Sequence, residues 1–418
     1  MDDLIERLLR GRDDPWPLYD RLRESGTGVH FYAGIGARGA YLCFRHADIT
    51  RIHHSPETFG AGDFRSASAA VHDPADPEER RFVDIWSRQA VFRDGAGHQR
   101  LRRALKTAFT GAAAERIPGC VEHASDDVIA RLFLRGRSEI EFMREVAAEV
   151  PIAVSARVLG IDPADRDRFR SWCQALLHTT DARPCPVSGS PRPPRIAPAN
   201  ELVDHLRAAL HARRRAPGPD LISALARSPE FAPAHADGDA EILAQIVLIL
   251  AAGNDATANL LGNAVNLLLD MPGLRTRLAE EPGRIGAAVE EVLRYAPPVH
   301  MTCRVALRDV ELGGHAVRRG TPVIQAIPAA NRDPRVFAEP HVFRIDRFTR
   351  GDAPAHVSFA PGRHHCIGDH LARMQAQVML ARFLAHFPRI TRGSLPALPQ
   401  ADGAHARGWK TLPVRLRP

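Results

Sequence analysis

The chain has 418 residues, 44% hydrophobic and 25% charged, the balance of an ordinary globular protein and not of a disordered or fibrous one. Its net charge of +7 comes almost entirely from arginine, with Lys106 and Lys410 the only lysines. A basic surface can meet nucleic acid, but no nucleic-acid motif accompanies this one. Six cysteines, at positions 43, 120, 173, 185, 303 and 366, show no pairing or CxxC spacing, which favours reduced thiols in a cytoplasm over a disulfide framework or zinc site.

Charges at Asp2, Asp3 and Glu6 do not suit a signal peptide, and no apolar run reads as long enough to span a membrane. No Gly/Ser linker divides the chain, so one domain over 1–418 is expected. Residues 15–25 read as a short helix. Val29–Tyr32 and Ala40–Phe44 read as strands around a Gly-rich turn, and His46–Ser55 as the next helix. Residues 56–95 are rich in Gly, Ser, Ala, Pro and charge, with a short helix expected over Pro77–Ser87.

Gly97 to Arg103 opens a helix with apolar Leu101, Leu105 and Phe109. His98 and Arg102 are four apart and share a face, so two donors point one way and can bind a carboxylate pair. Helices are expected over 113–133, 140–159 and 163–178. The span Thr180–Pro198 holds Pro184, Pro186, Pro191, Pro193, Pro194 and Pro198 and reads as a long non-helical connection.

Asp239–Asp270 is the most apolar helical stretch, and a helix apolar on most sides belongs at the centre of the protein. Midway lies Ala252-Gly253-Asn254-Asp255-Ala256-Thr257. Gly253 leaves room beside a planar cofactor and lets the helix open locally. Burying Asp255 is expensive without a polar task, which makes it a candidate for a proton path. Glu291 and Arg294, three apart on an amphipathic helix over 285–296, can pair. Leu398–Leu416 alternates enough for a hairpin, with its turn near Ala404–Trp409.

The stretch Phe359–Arg373 carries the clearest chemistry. Cys366 sits in a loop bracketed by Gly362 and Gly368, and Leu371, Met374, Val378 and Ala381 mark a long helix behind it. Glycines let a backbone pass close to a flat object. A cysteine just before a helix N-terminus meets free N–H groups and a dipole that favour an anionic sulfur. A thiolate held there suits the fifth position of a haem iron.

This stretch resembles the haem-binding loop of the cytochrome P450 family, Phe-x-x-Gly-x-His-x-Cys-x-Gly followed by Leu-Ala-Arg. Phe359, Gly362, His364, Cys366, Gly368, Leu371, Ala372 and Arg373 all match, with Ala360 where Gly is usual. The resemblance runs from about Pro15 to Leu416. It implies a mainly α fold with a small β part, holding haem b between the Gly253 helix and the Cys366 helix. Cys366 would be the metal ligand. His98 and Arg102 match the family's His-x-x-x-Arg for the haem propionates, although Gly95 and Ala96 stand where prolines are usual. Arg304 matches a second propionate arginine, and His364, Gly253 and Phe359 complete the cofactor-binding set.

The same resemblance makes Glu291, Arg294 and Arg347 a structural trio. It places the catalytic positions at Asp255, Ala256 and Thr257, within the pattern Ala-Gly-x-acid-Thr-Thr. Here Ala256 replaces the first threonine. Thr257 lies roughly 100° further round the helix and is no simple substitute. Pro297–Arg304 should run as a strand past the haem, with Val299, His300, Met301 and Thr302 facing the pocket. His300 there is either a substrate contact or a hydrogen-bonded structural histidine.

The implied activity is monooxygenation of a small organic molecule in natural-product biosynthesis, in the cytoplasm. It would use dioxygen and electrons from a ferredoxin and its reductase, docked near Arg100, Arg103, Lys106 and Arg363. No nucleic-acid or membrane partner is expected. Segments 56–95 and 170–205 would cover the substrate, with Thr180–Pro198 as a lid. A peroxide-dependent enzyme of the same fold is one alternative; a non-catalytic haem sensor or recruiting domain is another.

Overall fold

The computed structural model describes residues 1–36, 38–62, 75–111, 113–180 (backbone alone for the last four), 196–231, 237–349, 351–400 and 404–417. Cys185, segment 63–74 of the expected substrate cover and segment 181–195 of the expected lid lie outside the described residues. The described cysteines, 43, 120, 173, 303 and 366, are free thiols.

Helices α1 (Asp2–Arg10) and α2 (Pro15–Glu24) lead into strands β1 (Val29–Tyr32) and β2 (Ala40–Cys43). The Asp14 carboxylate caps α2 by accepting from the Trp16 N–H, with Pro15 at the first helical position, where its missing donor costs nothing. There follow α3 (His46–His54), β3 (Phe59–Gly60), α4 (Pro77–Ser87), α5 (Gly95–Thr110) and α6 (Ile117–Arg135). Next come β4 (Glu139–Glu141), α7 (Glu149–Leu159), α8 (Arg166–Thr180), α9 (Ile196–Arg215) and α10 (Leu221–Ala226). The central α11 (Gly238–Asp270) precedes α12 (Pro272–Glu280) and α13 (Ile285–Tyr295). The rest comprises β5 (Met301–Ala306), β6 (Val310–Leu312), β7 (His315–Val317), β8 (Pro322–Ala326), α14 (Ile327–Asn331), α15 (Asp369–His386), β9 (Thr391–Arg392), β10 (Leu398–Pro399), β11 (Trp409–Thr411) and β12 (Pro413–Arg415).

The main sheet has the order β1-β2-β8-β5-β3. Its one parallel pair is β2 with β8, Tyr41 facing Val323, while β5 runs antiparallel to β8 with Arg304 opposite Val323. The largest core cluster surrounds α11, whose buried residues include Ile242, Leu250, Leu261 and Val265.

Four expectations change. Residues 140–159 are not one helix: β4 pairs with β12, and a single wide π turn over Met143–Ala147 precedes α7. The Glu141 carboxylate accepts from the N–H groups of Met143, Arg144 and Leu412, and that of Glu145 from the N–H of Glu141. Side chains thus capture donors that a continuous helix would use. Second, helix reaches into Thr180–Pro198 from both ends, and Pro198 sits in the first turn of α9, where no hydrogen bond is lost. Third, the C-terminal strands do not form one hairpin, since β11 pairs with β10 but β12 joins β4 and β9. Fourth, α11 is long and apolar enough to cross a membrane, but 56% of its most apolar window is buried inside the protein.

Candidate haem-binding site

The loop before α15 is shaped by its glycines and its carbonyls. Gly362 has φ +88°, and a Cβ there would come within 2.3 Å of the His53 carbonyl oxygen, so the loop can press onto the end of α3 only with glycine. Ala360, which stands where glycine is usual, also adopts a left-handed backbone, φ +53°. The Cys366 N–H donates to the Phe359 carbonyl at 2.9 Å and the His365 N–H to that of Gly362 at 3.0 Å. The Arg373 guanidinium lies 4.3 Å from the centre of the Phe359 ring. It also donates to both oxygens of Glu290, at 2.6 and 3.2 Å, and to Asp369 at 2.9 Å.

Cys366 is exposed to solvent. Desolvation pushes its thiol up; the Gly368 N–H and the charges of Arg102 and Arg373 pull it down, and Asp369 adds to the rise. A cation at the sulfur reverses that balance, because a coordinating thiol is deprotonated outright.

Midway along α11 one stripe is open. Leu248, Ile249, Asp255 and Ala256 are half-buried, and Ala252 and Gly253 are exposed, between turns that are buried. Leu248, Ala252 and Ala256 follow each other at four-residue spacing, so they share a face. A Cβ added to Gly253 would meet nothing within 4 Å. Asn254 and Thr257 are buried on the other side, Asn254 accepting from the Ser155 hydroxyl at 3.1 Å. Ala256 therefore belongs to the open stripe. The structure does not bring Thr257 there, which corrects its place among the catalytic candidates. Leu248 and Ile249 were missed, because one accessible stripe cannot be read from a helix that is apolar all round.

At one edge a cluster of donors gathers. The His98 and His364 rings lie 4.0 Å apart, and among the described residues buried His98 Nδ1 and His364 Nε2 meet no hydrogen-bond partner. The 3.5 Å approach of His364 Nε2 to Asp94 is too long to supply one. Arg102 donates to the His365 carbonyl. Arg304, 9% exposed, donates to the Cys303 carbonyl at 2.9 Å. Burial, aided by nearby Arg304 and His364, holds His53 down to about 3, and its Nε2 is also unpartnered. Nothing in the sequence pattern pointed to His53.

Buried donors of this kind call for acceptors, and a pair of carboxylates would satisfy several at once. Among the described residues no three His, Cys, Asp or Glu side chains converge as an ion site, so the donor at Cys366 is a lone sulfur. The residues fit a haem: one sulfur ligand, a helix stripe without bulk at Ala252 and Gly253, and a carboxylate-binding edge.

Arg294 makes two bonds to Glu291, at 2.7 and 2.8 Å, both side chains fully buried, and Arg347 approaches Glu291 at 3.3 Å. The pocket strand needs correction. His300 is buried against α2, with Nδ1 3.0 Å from the Tyr19 hydroxyl and its ring 5.8 Å from that of Trp16. It is a structural histidine and not a substrate contact. Met301 is buried in the N-terminal cluster beside Leu18 and Tyr19, and Thr302 donates to Gln325 at 2.8 Å. Val299 is half-buried and bridged to Ala406 of the C-terminal turn. The docking set is also narrowed: Arg100 pairs with Glu241 at 2.6 Å and Arg103 with Glu230 at 2.8 Å, while Lys106 and Arg363 are exposed.

The comparisons with known proteins agree with this architecture. The family model Cytochrome P450 matches residues 201–394. Cytochrome P450 107B1 of Saccharopolyspora erythraea is 32% identical over 401 residues, covering 95% of this chain and 94% of that protein. The polyketide biosynthesis cytochrome P450 PksS of Bacillus subtilis is 30% identical over 80% of this chain and 79% of its own length. The solved structure of P450BioI, in complex with an acyl carrier protein carrying hexadec-9Z-enoic acid, superposes with TM-score 0.81 at 26% identity, covering 98% of this chain and 100% of that one. Fold and sequence together define a haem-dependent oxidoreductase. The chain belongs to the cytochrome P450 family, whose members are monooxygenases with haem as cofactor.

Proposed function

We propose that the chain acts as one domain that hydroxylates a small organic molecule in natural-product biosynthesis. Cys366 would be the iron ligand, and His98, Arg102, Arg304 and His364 would hold the haem carboxylates. The carrying observation is the cluster of His98, Arg102 and His364 packed against the Cys366 loop. Relatives that include a polyketide biosynthesis enzyme support the natural-product reading. Electrons come from a ferredoxin in the cytoplasm, and Lys106 and Arg363 are the exposed cations left for its docking.

When bound, haem with a thiolate ligand supplies oxygen activation, one oxygen atom entering the substrate and the other leaving as water with two electrons and two protons. The chain's own residues decide how those protons arrive. Ala256 carries no hydroxyl on the open stripe, and Thr257 is buried away from it. Protons therefore pass through a substrate hydroxyl or an ordered water, with Asp255 on the same stripe as the candidate relay.

Ala256→Thr tests this, measured as product formed per electron consumed, with a substrate chosen by its low-spin to high-spin Soret shift. Coupling is expected to stay level or fall, because an added side chain competes with the substrate or water that fills the role. A large rise would overturn the proposal. Peroxide-supported turnover faster than the ferredoxin-supported reaction would replace ferredoxin as the electron source.

A further inference from the structure

Glu290 is the residue before the buried Glu291, yet it serves a different partner. Glu291 faces Arg294 and the Arg344–Arg347 loop. Glu290 instead takes Arg373 at 2.6 and 3.2 Å, and His356 Nε2 at 3.1 Å. Arg373 is held a second time by Asp369 at 2.9 Å, and Asp369 also meets His365 Nε2 at 3.2 Å. Glu290, Arg373 and Asp369 are only 12 to 24% exposed, so water screens them weakly.

Phe359 links the cation so held to the Cys366 loop. Arg373 lies on the face of Phe359, whose carbonyl accepts the Cys366 N–H. The Arg373 guanidinium and the Asp369 carboxylate lie 2.9 Å apart beside this loop, and by Coulomb's law the cation favours negative charge at the sulfur while the carboxylate opposes it. Glu290 therefore sets how much of the Arg373 charge reaches the sulfur.

We propose that Glu290 is a positioning residue that tunes the electron affinity of the haem–thiolate unit by neutralising the Arg373 cation stacked on Phe359. This rests on the reading of Cys366 as the iron ligand. One electron added to that unit makes it more negative by one charge. A less compensated cation nearby favours the reduced state, and loss of the cation disfavours it.

The test is the midpoint potential of the one-electron couple, read by spectroelectrochemistry on the haem-loaded protein. Glu290→Gln should move the potential to more positive values and Arg373→Gln to more negative ones. The double variant Glu290→Gln/Arg373→Gln should return close to wild type. Glu290→Asp, which keeps the charge, should stay near wild type. A purely structural strap cannot give opposite signs that cancel. Equal or same-direction shifts would overturn the proposal. So would loss of the red-shifted carbonyl band in both single variants without recovery in the double. If wild-type protein lacks that band, the ligand assignment of Cys366 fails first and this inference falls with it. If wild type shows the band and the potentials do not move, this inference alone fails.

Discussion

His300 shows how one buried ring couples stability to pH. Burial, with the charges of Arg407 and Arg332, holds its imidazole well below the ordinary value. The folded state therefore stays unprotonated while an unfolded histidine takes up a proton below about pH 6.5. The contribution is whole above that pH and is lost as pH falls, at up to about 1.4 kcal/mol per pH unit for one group. His300→Leu should cost about 1–3 kcal/mol at pH 7.5, because the buried Tyr19 hydroxyl loses its partner. The gap from wild type should narrow between pH 6.5 and 5; urea titrations at each pH read both effects. Ala360 offers the opposite case, a side chain in a left-handed backbone that disfavours it by about 1–2 kcal/mol. Ala360→Gly should raise stability by about 0.5–1 kcal/mol once the freer unfolded glycine is counted, measured by the same titration.

Elements hold the loop through a few buried charges. Glu291 and Arg294 are fully buried, and Arg294 also donates to the carbonyls of Asn331, Pro340 and Val342. A buried pair adds little net stability but is costly to break. Glu291→Gln should destabilise the protein by about 3–5 kcal/mol and lower the yield of haem-loaded protein on purification. Retention of both would remove the trio's structural role. Helix α13 itself was legible because its apolar residues recur on one face. The 140–159 segment was not, because acidic side chains there capture backbone N–H groups that periodicity assigns to a helix.

At the scale of the whole molecule, two of the arginines at the expected docking face already have carboxylate partners. Arg100 and Arg103, which read as a docking patch, tie α5 to Glu241 and Glu230. Charge reversal at Lys106 and Arg363 together should slow ferredoxin-driven reduction and weaken its salt dependence, with dithionite reduction unchanged. Stopped-flow kinetics at two ionic strengths decide it, and equal effects on both reductants would dismiss these residues as the docking site.

The chain alone determined the Cys366 loop, the central helix with its Ala256 departure, and the Glu291–Arg294 spacing. Each is a local pattern in which residue type and interval already carry the physics. Only the tertiary structure decided which side of β5 faces inward, that His300 turns to Tyr19, that His53 joins the donor cluster, and that Glu290 reaches Arg373. Those contacts join residues tens to hundreds of positions apart, and which neighbour a buried polar group meets is set by how the helices pack.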